Sequence, residues 1–270
     1  MSERKSQRAH KRDENDHKIP SSSNIKFITF GGPTVNYHKR VNEICKQALL
    51  IESLFSEVKG FTDLDLKADT SFWQKHGQFI ESNPRGYGYW LWKPYLIKKT
   101  IETMNDDEIL IYADSGCYLN LNALSVKRLF EYVQIVKESP TGILAFQMEH
   151  LPEYKYTKRE TAETILKTEN LTTVMSSGQC MATVVILRKT VHSLAFVNEW
   201  FNYSEIYDLI NDSKSRPEHV GFIDHRHDQS IYSLLLKTRG AYLIRDETYF
   251  HPNWKQTGAN FPIWAVRNRG

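Results

Sequence analysis

The stretch Asp107-Glu-Ile-Leu-Ile-Tyr-Ala-Asp114-Ser-Gly116-Cys117 constrains the fold most, because a short apolar run leads straight into an aspartate and a glycine. A carboxylate at the carboxyl end of a buried strand, followed by a residue that lets another group approach the backbone, is where open α/β sheets place ligand chemistry. The pattern points to a metal-diphosphate site. It is equally compatible with a structural turn in which Asp114 acts as a cap and Gly116 supplies a positive φ, so other segments have to decide.

Around that strand the apolar pattern alternates between two periods. Ile25 to Phe30 reads as a strand stopped by Gly31-Gly32-Pro33, and Val41, Ile44, Cys45, Ala48, Leu49 and Ile51 then recur at helical spacing. Helices are predicted over 70–81, with Phe72, Trp73, His76, Phe79 and Ile80 on one stripe, and from about Pro94 through Ile97 and Ile101 to Met104. Further helices are predicted over 124–137, 191–210 and 228–239. Strands are predicted over 142–148, 183–187 and 241–245, and the β-branched content of 183–187 reads as a buried strand of the parallel type. This succession predicts an α/β fold, a mostly parallel sheet flanked by helices, in a single domain.

The domain is expected over 25–255. Residues 1–24 are polar, end in Pro20-Ser-Ser-Ser23 and lack the apolar content that offsets ordering entropy, so they read as a disordered leader. Residues 256–270 read as a tail packed irregularly on the domain. Net charge is +3, and the leader holds Arg4, Lys5, Arg8, Lys11, Arg12 and Lys18 against Glu3, Asp13, Glu14 and Asp16, which leaves the body near neutrality and argues against nucleic acid as the main partner. No apolar run reaches the ~18 to 20 residues that span a bilayer. Cys45, Cys117 and Cys180 fit no ligand spacing and read as buried thiols in a reducing compartment, so a soluble cytoplasmic protein is expected. The sequons at Asn170, Asn202 and Asn211 carry no weight in that setting.

Three more segments hold chemistry. Arg85-Gly-Tyr-Gly-Tyr-Trp-Leu-Trp-Lys93-Pro94 offers flat apolar walls, close backbone approach and two cations, a set that suits a sugar, although its tryptophans also suit a core. Lys93 comes near Asp114 only if its helix folds back over the strand. Asp224-His-Arg-His-Asp228-Gln229 places acids, imidazoles and an amide at a helix start, where Asp228 has an alternative role as a plain N-cap and Gln229 has none. His251 precedes Pro252 in a loop after the last strand and is either structural or a ligand.

Thr29-Phe-Gly-Gly32, the Gly-Tyr-Gly-Tyr-Trp loop, Tyr112-Ala-Asp-Ser-Gly-Cys117, Ser177-Gly-Gln179 and His227-Asp-Gln229 occur in an order that resembles nucleotide-sugar glycosyltransferases of the GT-A (Rossmann-like) fold, of the glycosyltransferase-8-like kind. The resemblance spans roughly residues 25 to 255. Asp114-Ser-Gly116 stands where that family carries Asp-x-Asp, so the second carboxylate is missing. The resemblance implies a hexosyltransferase-type enzyme moving a sugar from a UDP-sugar to an acceptor hydroxyl with retention, assisted by Mn2+ or Mg2+ held by Asp114 and His251. It implies that Thr29, Phe30, Gly31, Tyr37 and Arg40 hold the nucleotide, with Arg85, Lys93, Ser115 and Lys255 on the diphosphate or sugar. Asp228, Gln229 and Gln179 would line the reacting centre. A glycan or other hydroxyl-bearing acceptor is the implied partner.

The competing readings are a metal-dependent nucleotidyltransferase or phosphohydrolase, a non-catalytic module that binds a nucleotide-sugar or glycan, and nucleic-acid binding through the basic leader. The first normally needs a denser carboxylate cluster and leaves the loop from Tyr87 to Trp92 without a use. The second is separated from an enzyme by donor turnover, and the third by strongly salt-dependent affinity.

Overall fold

The computed structural model describes residues 24–51, 54–166 and 171–268, so the leader expected over 1–24 lies, apart from Asn24, outside the described residues. In chain order the first elements are β1 (Ile25–Gly31), α1 (Val35–Leu49), β2 (Glu57–Thr62), α2 (Asp63–Ala68), α3 (Thr70–Ser82), α4 (Gly86–Tyr89) and α5 (Trp92–Thr103). Then come β3 (Ile109–Ala113), β4 (Tyr118–Leu119), α6 (Ala123–Glu138), β5 (Ile143–Pro152), α7 (Glu153–Tyr156), α8 (Arg159–Ile165) and α9 (Leu171–Ser176). The last are β6 (Gly178–Cys180), β7 (Val184–Arg188), α10 (Val191–Ser204), α11 (Tyr207–Ile210), α12 (Asp228–Arg239), β8 (Tyr242–Arg245), α13 (Trp254–Thr257) and β9 (Ile263–Trp264).

Seven strands form one sheet in the order β2-β1-β3-β7-β5-β6, with β8 also paired to β5. β1, β2, β3, β5 and β8 run one way, and β7 and β6 run against them. The expected α/β architecture, a mostly parallel sheet flanked by helices, is therefore present. One expectation fails in detail: β7 is antiparallel to both β3 and β5. Burial on both faces selects β-branched residues whichever way a strand runs, so composition could not reveal its direction.

Period-2 alternation decides what each face of the sheet meets. Ile28, Phe30, Leu110, Tyr112, Val185 and Leu187 face a core shared with α3, α5, α10 and α12. Phe27, Ile109, Ile111, Ala113, Val184 and Ile186 face the opposite core, shared with α1 and α6. Asp114 follows β3 two positions after Tyr112. It thus falls on the α5 and α12 side, which is how three distant segments can meet there.

Two more differences matter near the site. The helix expected over 191–210 ends at Ser204, and Ile206 turns to extended backbone before α11. At that break Glu205 accepts from the buried His76 Nε2 at 2.9 Å. The tail expected to be irregular contains β9, paired antiparallel with β4. Beyond it, Asn268 N–H donates to the Gly116 carbonyl at 3.0 Å.

Candidate active site

The first turn of α5 begins at Trp92 beneath the aromatic loop, and its second residue, Lys93, is directed to the end of β3. Its Nζ lies 3.2 Å from Asp114 Oδ1, 3.2 Å from Asp228 Oδ2 and 3.2 Å from the Ala182 carbonyl. The Lys93 and Asp228 side chains are each 4% exposed, while Asp114 is 30% exposed and opens the cluster to solvent. Burial alone would lower the Lys93 pKa; Asp114 and Asp228 more than offset this and hold it above its ordinary value. Burial pushes the Asp228 carboxyl up to about 7, with Lys93 opposing and Asp114 adding to the rise. Lys93, Asp114 and Asp228, three residues read separately from the sequence, are thus one ion cluster.

Tyr112 was not anticipated as a site residue. Its hydroxyl lies 2.5 Å from Asp114 Oδ1 and donates to it, so the carboxylate is oriented by its own strand. The i, i+2 relation of Tyr112 and Asp114 on one strand face was the available signal. Trp200, fully buried on α10, donates its indole N–H to the Asp228 carbonyl at 3.0 Å and fixes the start of α12.

Gln229 accepts from Ala182 N–H at 3.3 Å and donates to Gln179 Oε1 at 2.6 Å. Gln179 is itself fully buried, and its amide nitrogen faces Glu153 Oε2, Thr157 Oγ1 and Ser230 Oγ, each at 3.2 Å. Its amide nitrogen is spent on these protein partners, and its oxygen fixes the rotamer of Gln229. Glu153, a second unanticipated residue, closes this network from behind and is paired with Lys237 at 2.7 Å. Nothing in its sequence setting marks it.

At the end of β1 the expected nucleotide residues divide. The Thr29 hydroxyl is buried without a partner, and Phe30 packs on Trp92 with ring centroids 3.9 Å apart. A Cβ on Gly31 would stand 2.7 Å from both the Tyr37 carbonyl and Val41 Cγ2, so this glycine lets α1 close on the strand. Tyr37 is half-buried beside Gly32. Arg40 is 7% exposed, donates from Nη2 to the Cys117 carbonyl at 2.9 Å, shares Nη1 with Glu43 and leaves Nε without a partner. Arg40 and Lys255 line one cavity of about 1020 Å³, walled by Tyr118, Trp254 and Trp264. Ser115 is buried beside Asp114.

Arg85 is committed elsewhere. Its guanidinium grips Asp212 at 3.1 Å and Asp224 at 2.9 Å. It precedes five successive residues, Gly86 to Trp90, whose φ values run from 52° to 82°, a left-handed turn. Three of these are not glycine, and a side chain held there costs about 1–2 kcal/mol per residue. The turn lays Tyr89 and Trp90 on His227, with centroids 4.8 and 5.5 Å away. His227 is also at φ 54°, and its Nδ1 donates to the Ile210 carbonyl at 2.7 Å, which leaves Nε2 as the unprotonated nitrogen. Burial lowers its pKa to about 4.

Asp114 and His251, the ligands expected for Mn2+ or Mg2+, are not in contact with each other. Asp114 Oδ1 is taken by Tyr112 and Lys93, and Gly116, at the place of a second carboxylate, has no positive φ and is closely covered: a Cβ would come 3.0 Å from the Asn268 carbonyl oxygen. His251 is exposed and stacks on Tyr249, and no contact joins it to Asp114. Among the described residues no three His, Cys, Asp or Glu side chains gather as a metal site. Cys117 and Cys180 are buried as expected, Cys45 only partly, and all three are free. No helix among the described residues is long and apolar enough to cross a membrane.

No family model matches the chain, and no curated protein matches it. Among solved structures, 89% of the chain is similar to 91% of a glycosyltransferase involved in the glycosylation of the major capsid of PBCV-1, at 12% identity and a TM-score of 0.49. Mouse xyloside xylosyltransferase 1 is similar over 89% of this chain and 97% of its own (12% identity, TM-score 0.43). The galactosyltransferase LgtC is similar over 88% and 86% (10% identity, TM-score 0.44). Likeness of this strength carries no functional weight, which rests on the side chains.

Proposed function

We propose that this chain is a GT-A-type glycosyltransferase that moves a sugar from a nucleoside-diphosphate donor, a UDP-sugar, to an acceptor hydroxyl. The observation that carries the reading is the buried Lys93 ammonium, held between the strand-end carboxylate Asp114 and the helix-start carboxylate Asp228. Breaking the bond from anomeric carbon to phosphate oxygen leaves its electron pair on the diphosphate and positive charge on the sugar. A fixed ammonium stabilises the first as it forms, and a carboxylate stabilises the second.

In this reading Lys93 faces the leaving diphosphate and Asp228 faces the anomeric carbon. Asp228 either stabilises the cationic sugar or attacks it, and attack followed by acceptor displacement gives retention. Gln229 contacts the sugar, with Gln179 as a positioning residue behind it. Thr29, Tyr37 and Arg40 hold the nucleotide from the β1 end, and Lys255, which lines the same cavity as Arg40, approaches the diphosphate. The test is incubation with a panel of UDP-sugars, followed by phosphorus NMR. The expected result is UDP release by the wild type that falls at least about a hundredfold in Asp228→Asn. Equal release by both proteins, or none with any donor, would overturn the reading.

A further inference from the structure

The geometry points to a donor site that works without a divalent ion, in which Lys93, Arg40 and Lys255 supply the positive charge the diphosphate requires. This rests on the glycosyltransferase reading above and deepens it. The place where a metal on Asp114 would neutralise charge already has a cation, because Lys93 Nζ lies 3.2 Å from Asp114 Oδ1 and 3.2 Å from Asp228 Oδ2. A doubly charged ion on the other Asp114 oxygen would be repelled by that ammonium and would have one carboxylate to share with it. The usual second ligand is also missing, since its place is taken by Gly116, where a Cβ would crowd the Asn268 carbonyl oxygen at 3.0 Å.

Positive charge is instead arranged around the same loop. Arg40 donates from Nη2 to the carbonyl of Cys117, the residue after Gly116, and its nine-tenths-buried guanidinium keeps Nε without a partner. Lys255 lines the same cavity of about 1020 Å³, which extends to Asn268 and so to the Gly116 carbonyl it bonds. A guanidinium offers directional donors to phosphate oxygens, and a lysine offers mobile point charge. Lys93 at Asp114, Arg40 at the Cys117 carbonyl and Lys255 in the same cavity as Arg40 are three cations of the kind that bind a diphosphate directly.

The test is calorimetric titration of the full chain with UDP in excess EDTA and again in saturating Mn2+. The expected result is binding in both buffers with affinities within about fivefold of each other, weakened about tenfold or more by Lys255→Gln. Because Lys255 is exposed, that variant leaves the fold intact. UDP binding that appears only with Mn2+, or strengthens by more than about fivefold with it and is lost in Asp114→Asn, would overturn the inference while sustaining the glycosyltransferase reading. Unchanged affinity in Lys255→Gln would also overturn it. UDP binding in neither buffer by a folded chain would overturn both.

Discussion

Two cations in this molecule each sit between two aspartates, and their surroundings make them different objects. Lys93 lies between Asp114 and Asp228 with side-chain exposures of 4%, 30% and 4%. Arg85 lies between Asp212 and Asp224 with exposures of 43%, 41% and 31%. Water screens the second cluster, so its ion pairs add little stability and its role is to hold the left-handed turn against Asp212 and Asp224. The first cluster sits at low dielectric, where removing one partner strands charge. Such a cluster persists only when every member is satisfied. Its Asp228 Oδ2 is fully buried and is met there by the Lys93 ammonium at 3.2 Å.

The largest effect should come from Lys93→Met, which leaves two carboxylates facing each other. Urea unfolding near pH 8 should show a loss of about 3–5 kcal/mol. Burial raises the Asp228 pKa, and Lys93 holds it down at about 7. In the variant it rises further, so the deficit should shrink as pH is lowered toward 7, where Asp228 of the variant takes up a proton first. A loss under about 1 kcal/mol would mean that the two clusters are alike after all.

The next effect is pH dependence near the exposed cluster. His227 is held near pKa 4 by burial, against about 6.5 when unfolded, so between these values the unfolded chain binds more protons than the folded one. Stability therefore rises with pH through this window and is lost as pH falls from about 6.5 toward 4, by about 3 kcal/mol from this group. His225, also lowered by burial, acts in the same direction. Thermal unfolding across this range checks it, and His227→Gln should flatten the slope.

A smaller loss, about 2 kcal/mol, is expected for Gly86→Ala, which puts a side chain at φ 60°. Its Cβ would stand 2.3 Å from Trp90 Cε3, so the ring must move as well. Circular dichroism in the aromatic region should report that movement. Arg85→Ala should have the smallest effect, under about 1 kcal/mol, because both freed carboxylates are solvated. Calorimetric unfolding would measure it, and a loss as large as that of Lys93→Met would erase the contrast.

The sequence displayed one cluster far better than the other. Asp114 and Asp228 stood out because a strand end and a helix start are recognisable from periodicity, and Lys93 followed from the proline that opens its helix. The two glycines announced an unusual backbone at 86–90, yet nothing marked Tyr87, Tyr89 and Trp90 as joining them at positive φ. Asp212 and Glu153 carry no local signal, because their partners, Arg85 and Lys237, are 127 and 84 residues away. Within the sheet, β2 was missed because its exposure varies from residue to residue at an edge, and β6 because it has only three residues. Strand direction at β7 depends on chain connections that no local pattern encodes.

The most direct test of the account is nitrogen NMR of the lysine ammonium groups, with the Lys93 signal assigned by its loss in Lys93→Arg. Burial and three oxygen neighbours should make that signal slow to exchange and visible, and titration with UDP should move it more than any other except that of Lys255. A Lys93 signal that stays fixed while UDP binds and perturbs other resonances would place the nucleotide elsewhere and contradict the central claim.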